Sequence, residues 1–300
     1  MRFSYWASLD NSWDDVVDGV RHAEQAGWDG VYLADHFMNG SGVAPIETPT
    51  LECTAALSAL AVLTERVRLA SLVFGITYRH PAVLANWAIT TDHVSDGRLL
   101  LGLGAGWQQN EHDQYGIRLG RPGERVDRFA EALAVIRGLL DEPATTLAGD
   151  HYVLTDAIAE PKSVQHHLPL LIGGKGDRML GLVARFADEW NMWSTPDTIA
   201  ERRTVLDQRC EAIGRDPSEI ETSTQALFLP MDDDDVAADL EGAFPRPVVA
   251  GTPGRMAATV AGWAEAGVDE VIVPDFTLGV GPQRADALDQ LHDEVFATFR

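Results

Sequence analysis

The sequence predicts an α/β fold, a single (β/α)8 TIM barrel spanning residues 1–300, and three observations lead to it. Short apolar runs alternate with longer, helically periodic stretches from one end of the chain to the other. The runs are near-continuously apolar, as strands buried on both faces of a helix-covered parallel sheet are. Finally, Ala26-Gly27-Trp28-Asp29-Gly30-Val31-Tyr32-Leu33-Ala34-Asp35 returns near the other end as Ala266-Gly267-Val268-Asp269-Glu270-Val271-Ile272-Val273-Pro274-Asp275. A closed ring needs the same helix–turn–strand unit at both ends. An open sheet can also repeat its units, so the match supports closure without proving it.

The elements follow in order. A strand is expected at residues 2–8, then an amphipathic helix at 13–26 that ends on Ala-Gly, because glycine takes the left-handed C-cap conformation cheaply. Strand 29–34 leads to helix 49–63, and strand 67–74 to helix 81–94, which opens on Pro81, a residue suited to a first helical turn. Strand 98–105 precedes helix 123–140. Residues 141–167 are too long for a simple connection and read as a surface insertion, with a small hairpin over 146–152 turning at Gly149-Asp150. Strand 168–173, helix 177–187, strand 188–193, helix 198–213 and strand 221–229 resume the alternation. A second insertion, 230–251, carries Asp232-Asp233-Asp234-Asp235 and reads as a solvated excursion; a metal site needs spaced ligands from several elements. Helix 253–266, strand 270–274 and helix 283–299 complete the pattern, with no linker to divide it.

Charge narrows the partners. Forty-six acidic residues against 23 basic ones give a net charge of −23, which repels a phosphate backbone, and no Lys/Arg cluster offsets it. Nucleic acid is not an expected partner. A small anion can still bind in a locally basic or amide-lined pocket. Cys53 and Cys210 show no paired spacing, so reduced cytosol is the natural compartment. No apolar run approaches the roughly 18 residues of a membrane helix, and the start of the chain lacks a signal core, so a cytoplasmic protein with no membrane partner is expected.

In a barrel the active site forms at the carboxyl ends of the strands. The second strand delivers Asp35-His36, and an imidazole there can exchange a proton near neutral pH; the alternative is a histidine that only caps the strand. The fifth delivers Gly173-Gly174-Lys175-Gly176 ahead of a helix, where small residues let amides approach a phosphate. A plain tight turn is the competing reading. Gly102-Leu103-Gly104-Ala105-Gly106 suggests a dinucleotide fingerprint, but Trp107 occupies the place of the third small residue. Histidine spacings for a metal are missing, so no metal site and no metal-dependent hydrolase is expected, and no nucleophile motif is present.

Several blocks together carry a resemblance: residues 69–81 around Ser71-Leu72-Val73-Phe74-Gly75, residues 96–107 through Ala105-Gly106-Trp107 with Glu111 and Tyr115-Gly116 beyond, Gly123-Glu124-Arg125, residues 169–174, Trp190-Asn191 and residues 269–273. In these the chain resembles the luciferase-like monooxygenase superfamily, and most of all its branch dependent on the deazaflavin coenzyme F420. The resemblance implies a barrel holding that coenzyme, or alternatively flavin mononucleotide (FMN), at its carboxyl end. It places His36 beside the reactive ring as the catalytic residue and Asp35 at a ring-contact position. Ser71, Leu72 and Val73 become the third-strand bulge behind the ring, often with a non-proline cis peptide. Ala105 and Gly106 fall along the ribityl chain, and Gly173, Gly174, Lys175 and Gly176 at the phosphate. It also implies a homodimer. Trp107 stands where the sugar-phosphate dehydrogenases of the branch have a glutamate, and Met38-Asn39-Gly40 replace their tryptophan, so sugar-phosphate oxidation is not implied.

The expected activity is hydride transfer between F420 and a small organic substrate, an alcohol, carbonyl or activated double bond. An FMN- and oxygen-dependent monooxygenase is the runner-up. A cofactor-binding barrel without turnover is the alternative from another class.

Overall fold

The structure is a computed structural model that describes residues 1–40, 45 and 47–300. Eight parallel strands form its centre: β1 (Arg2–Trp6), β2 (Gly30–Leu33), β3 (Arg68–Ser71), β4 (Leu99–Gly104), β5 (Leu170–Gly173), β6 (Glu189–Trp193), β7 (Glu221–Gln225) and β8 (Glu270–Pro274). Each pairs with its neighbour in sequence. β8 then pairs with β1, from Glu270 opposite Arg2 to Pro274 opposite Trp6. The ring is closed, and the fold is a (β/α)8 barrel.

Among the described residues ten α-helices surround it: α1 (Trp13–Ala26), α2 (Cys53–Leu63), α3 (Pro81–Ser95), α4 (Gln109–Tyr115), α5 (Pro122–Asp141), α6 (Asp177–Phe186), α7 (Pro196–Ala212), α8 (Asp234–Glu241), α9 (Pro253–Glu265) and α10 (Pro282–Gln290). Proline opens α3, α5, α7, α9 and α10, where its missing N–H costs nothing. Gly27 closes α1 at φ 90°, as its Ala-Gly ending predicts. Beyond α10 the helix widens through Leu291–Phe296 and then tightens through Ala297–Phe299, so only the first part of the expected helix 283–299 is α-helical.

The repeated unit has a physical job at each end. Asp29, Asp188 and Asp269, each just before a strand, accept the backbone N–H of Phe3, Leu170 and Thr222 at 2.8 Å. Each carboxylate thus pins its strand to the one beside it. At the other end of the unit Asp35 accepts the Gly75 N–H at 3.0 Å, and Asp275 the Ser8 N–H at 3.1 Å. Both acids are buried and each has an arginine, Arg79 or Arg284, within ion-pair distance.

Burial splits into two layers by strand alternation. Phe3, Tyr5, Val31, Leu33, Leu101 and Leu103 face outward into the core shared with the helices. Trp6, Tyr32, Ala70, Leu72, Leu100, Leu171 and Ile272 fill the barrel interior. Beneath them, at the strands' amino ends, Arg2 and Arg68 pair with Glu189, Glu221 and Glu270. This closes the base with charge and leaves the carboxyl mouth for chemistry.

Both insertions lie outside the ring. Thr145–Ala148 and Val153–Ala157 form the expected antiparallel hairpin. The second is more ordered than a solvated excursion. The expected strand 221–229 breaks after Gln225, and Leu227–Pro230 pairs in parallel with Val248–Gly251, so α8 becomes a crossover packed through Ala237 on Leu227, Val248 and Ala250. The acid run belongs to this helix's start: Asp233 caps the Asp235 and Val236 amides.

Candidate active site

β2 hands the chain to Asp35-His36-Phe37 at the mouth. Asp35 is fully buried, and Arg79 donates to it at 2.7 Å. Burial pushes its carboxyl up despite that partner. Asp35 therefore braces the loop after β3, while its Oδ1 has no partner among the described residues.

His36 is 28% exposed, and its Nδ1 lies 2.8 Å from Oε1 of Glu111 on α4. Glu111 is itself wholly buried. It also accepts the Phe37 N–H at 2.8 Å through Oε2 and the Tyr78 hydroxyl through Oε1. Burial raises a carboxyl, but here the hydrogen bonds from His36, Tyr78 and Phe37 outweigh it and hold Glu111 below the usual carboxylate range. An ionised carboxylate only accepts, so Nδ1 carries the proton and donates it. Nε2 is then the atom free to take a proton from, or return one to, a substrate. The Trp107 ring stands edge-on to the imidazole, 5.4 Å away at 82°.

The third strand is interrupted between Ser71 and Phe74, and the Leu72–Val73 peptide bond is cis. Ser71 spends its hydroxyl within the wall, donating to the Gly102 carbonyl at 2.8 Å and accepting the Phe74 N–H at 3.1 Å. Val73 instead reaches across the mouth. A Cβ at Gly104 would lie 2.6 Å from its Cγ2, and one at Gly173 3.2 Å from its Cγ1. The glycines at the ends of β4 and β5 leave room for this apolar shelf. Leu72 is buried inside the barrel beneath it, and Ala105 packs partly buried at the rim. Gly106 adopts φ 83°, with the Thr77 side chain filling the space a Cβ would need.

Gly173 to Gly176 divide their roles. Gly174 sits at φ 145° and donates its N–H to the Asn191 carbonyl at 3.0 Å; its own carbonyl accepts from Trp190 Nε1 at 2.7 Å. Its amide is committed to the barrel, so it is not the donor that the glycine pattern suggests. Gly176 is the N-cap of α6, has no side chain to satisfy the first-turn amides, and would have open space around a Cβ. These orphan amides and the helix dipole make an anion-binding end. Lys175 is exposed beside it, and Asp177 is paired with Arg202 at 2.6 Å.

The luciferase-like monooxygenase family model matches residues 1–299. The chain belongs to that family. Among the relatives of this luciferase-like chain is an uncharacterized protein of Mycobacterium tuberculosis, 33% identical over 168 residues, 56% of this chain and 58% of that one. An F420-dependent glucose-6-phosphate dehydrogenase of Microbacterium testaceum is 30% identical over 247 residues, covering 80% of this chain and 71% of its own. Among solved structures, the F420-dependent tetrahydromethanopterin reductase of Methanopyrus kandleri superposes with a TM-score of 0.83 at 19% identity, over 100% of this chain and 99% of that one.

The luciferase-like barrel gathers His36, Val73, Ala105, Gly106 and the Gly173–Gly176 turn at its mouth, with Leu72 beneath Val73 and Asp35 and Ser71 behind as braces. The sequence names Glu111 after the fourth strand but assigns it no role; its pairing with His36 emerges only in the structure. Trp107 stands where the sugar-phosphate dehydrogenases have a glutamate, and the carboxylate beside His36 comes instead from four residues farther on. The available signal was Glu111 one helical turn farther on, in the short helix α4, which no strand–helix alternation predicts.

Proposed function

We propose that this chain is an F420-dependent oxidoreductase that moves a hydride between the coenzyme and a small alcohol, carbonyl or activated double bond. The reading is supported by the F420-dependent relative and, within the site, by one observation above the others: the Glu111-held His36 with Nε2 free at the barrel mouth. A tricyclic ring with a ribityl phosphate fits the residues present. Val73 offers a flat apolar backing where Gly104 and Gly173 keep the surface clear, and the uncapped start of α6 offers amides to the phosphate. When bound, the deazaflavin supplies a carbon that accepts or releases the hydride.

The chain's own residues handle the proton. For an alcohol, neutral His36 takes the hydroxyl proton at Nε2 as the hydride leaves the carbinol carbon. For a reduction, the imidazolium returns that proton to the oxygen or carbon that has become basic. Glu111 stays ionised through both directions and stabilises the imidazolium. Proton transfer by a placed side chain typically contributes about 10²–10⁴-fold. His36→Ala is expected to lower kcat by that order in the F420-reconstituted enzyme and to remove one limb of the pH–rate profile, with thermal midpoint and coenzyme affinity near those of the parent. Lower stability with normal turnover per folded molecule would assign His36 a structural role instead.

A further inference from the structure

The coenzyme-facing residues lie on β2 to β5 and leave the opposite arc, β6, β7, β8 and β1, without an assigned role. Aromatic rings line that arc. Trp193 at the end of β6 lies 5.8 Å from Trp6 at the end of β1, and Trp6 lies 5.3 Å from Phe276 just beyond β8. Gln225, opposite Trp193 in the strand register, is 3% exposed, yet its side-chain oxygen has no partner among the described residues. The indole N–H of Trp6, 5% exposed, has none either. Buried polar groups are normally satisfied, so two unmet ones flanking Trp193 on this arc point to a ligand that satisfies them.

The second insertion adds a cation. Arg246 is half-buried, and its guanidinium lies 4.5 Å over the Trp193 ring. Burial holds it below the usual arginine range with no acidic neighbour to offset the cost. In a chain of 46 acidic residues, an arginine withdrawn from water without a carboxylate partner among the described residues is out of keeping with its surroundings. Trp193 touches both the barrel interior and the insertion's small core, so it joins the barrel mouth to the insertion.

We propose that Arg246, Trp193, Trp6 and Gln225 form a substrate subsite in which a flat or apolar body rests on the indoles and an oxyanion, carboxylate or phosphoryl, is received by Arg246. A guanidinium presents paired donors that match such groups, and a stacked guanidinium is already oriented to use them. This rests on reading the mouth as an active site. The substrate would thus be an anionic alcohol, carbonyl or enoate.

The test is binding, separate from turnover. Calorimetric titration of the F420-reconstituted protein with benzoate, phenyl phosphate and neutral, isosteric benzamide should show at least one anion binding about tenfold or more tightly than benzamide. Whichever anion is preferred identifies carboxylate or phosphoryl as the recognised group. Arg246→Gln and Arg246→Met should erase the preference while leaving benzamide unchanged. Equal binding of anions and benzamide by the parent, or a preference that survives both substitutions, would overturn the subsite. Running the titrations with and without F420 separates this from the coenzyme reading: anion preference in a protein that shows no saturable F420 binding overturns the coenzyme, and F420 binding without anion preference overturns the subsite alone.

Discussion

Glu111 sets what His36 can do. A neutral imidazole has two tautomers, and only a partner that accepts and never donates selects the one with a basic Nε2. Glu111→Gln keeps the volume but replaces that acceptor with a group that both accepts and donates. The expected result is a kcat loss of about 10²-fold, toward the lower end of what proton transfer contributes, with KM much less affected. A pH effect accompanies it. Because the folded protein holds Glu111 below its usual value of 4.5, its contribution to stability is present above that value and lost as pH falls through the lowered one. Thermal melts between pH 3 and 6 should show a weaker acid dependence in Glu111→Gln than in the parent; identical dependence would mean that the carboxylate is not held ionised. His36 was legible in the sequence because a strand's carboxyl end is where a barrel does chemistry. Glu111 was not, because its meeting with His36 is a contact across 75 residues that no local pattern encodes.

At the scale of elements, strands and helices followed their periodicity, and the misreadings fall where tertiary pairing overrides it. Residues 221–229 are continuous as an apolar run, but the stretch from Leu227 pairs with the far end of its own insertion rather than with the barrel. The glycine turn after β5 announced an anion site, yet which glycine serves it depends on backbone angles. Gly174 needs its positive φ, and any side chain there strains the chain whatever it does to a ligand. Gly176 is extended, at φ −72°, and free to change. Gly176→Asp separates folding from binding, because aspartate is at least as good an N-cap as glycine while its charge competes for the same amides. The thermal midpoint should hold or rise slightly, and affinity for the coenzyme should fall about tenfold or more. Unchanged affinity would move the phosphate elsewhere.

Across the whole molecule, the barrel is polar at one end and receptive at the other. Arg2 and Arg68 with Glu189, Glu221 and Glu270 occupy the base, where burial pushes Glu189 up to about 7 and its two arginines hold Glu270 below the usual range against that burial. Such paired charge suits a closed floor. Indoles, glycines and a free imidazole nitrogen occupy the mouth. Closure was readable because Asp29 and Asp269 head the same repeated unit, and both carboxylates clamp the preceding strand around the ring. The proposed division of the mouth into a coenzyme side and a substrate side was not readable, since it depends on where Val73 and Arg246 reach. The central claim is that this mouth holds a deazaflavin for hydride transfer. Titrating the purified protein with F420 and with FMN, each followed by absorbance and calorimetry, tests it most directly. The account predicts saturable F420 binding, at least about tenfold tighter than FMN and weakened by Gly176→Asp; FMN binding as well as or better than F420 would contradict it.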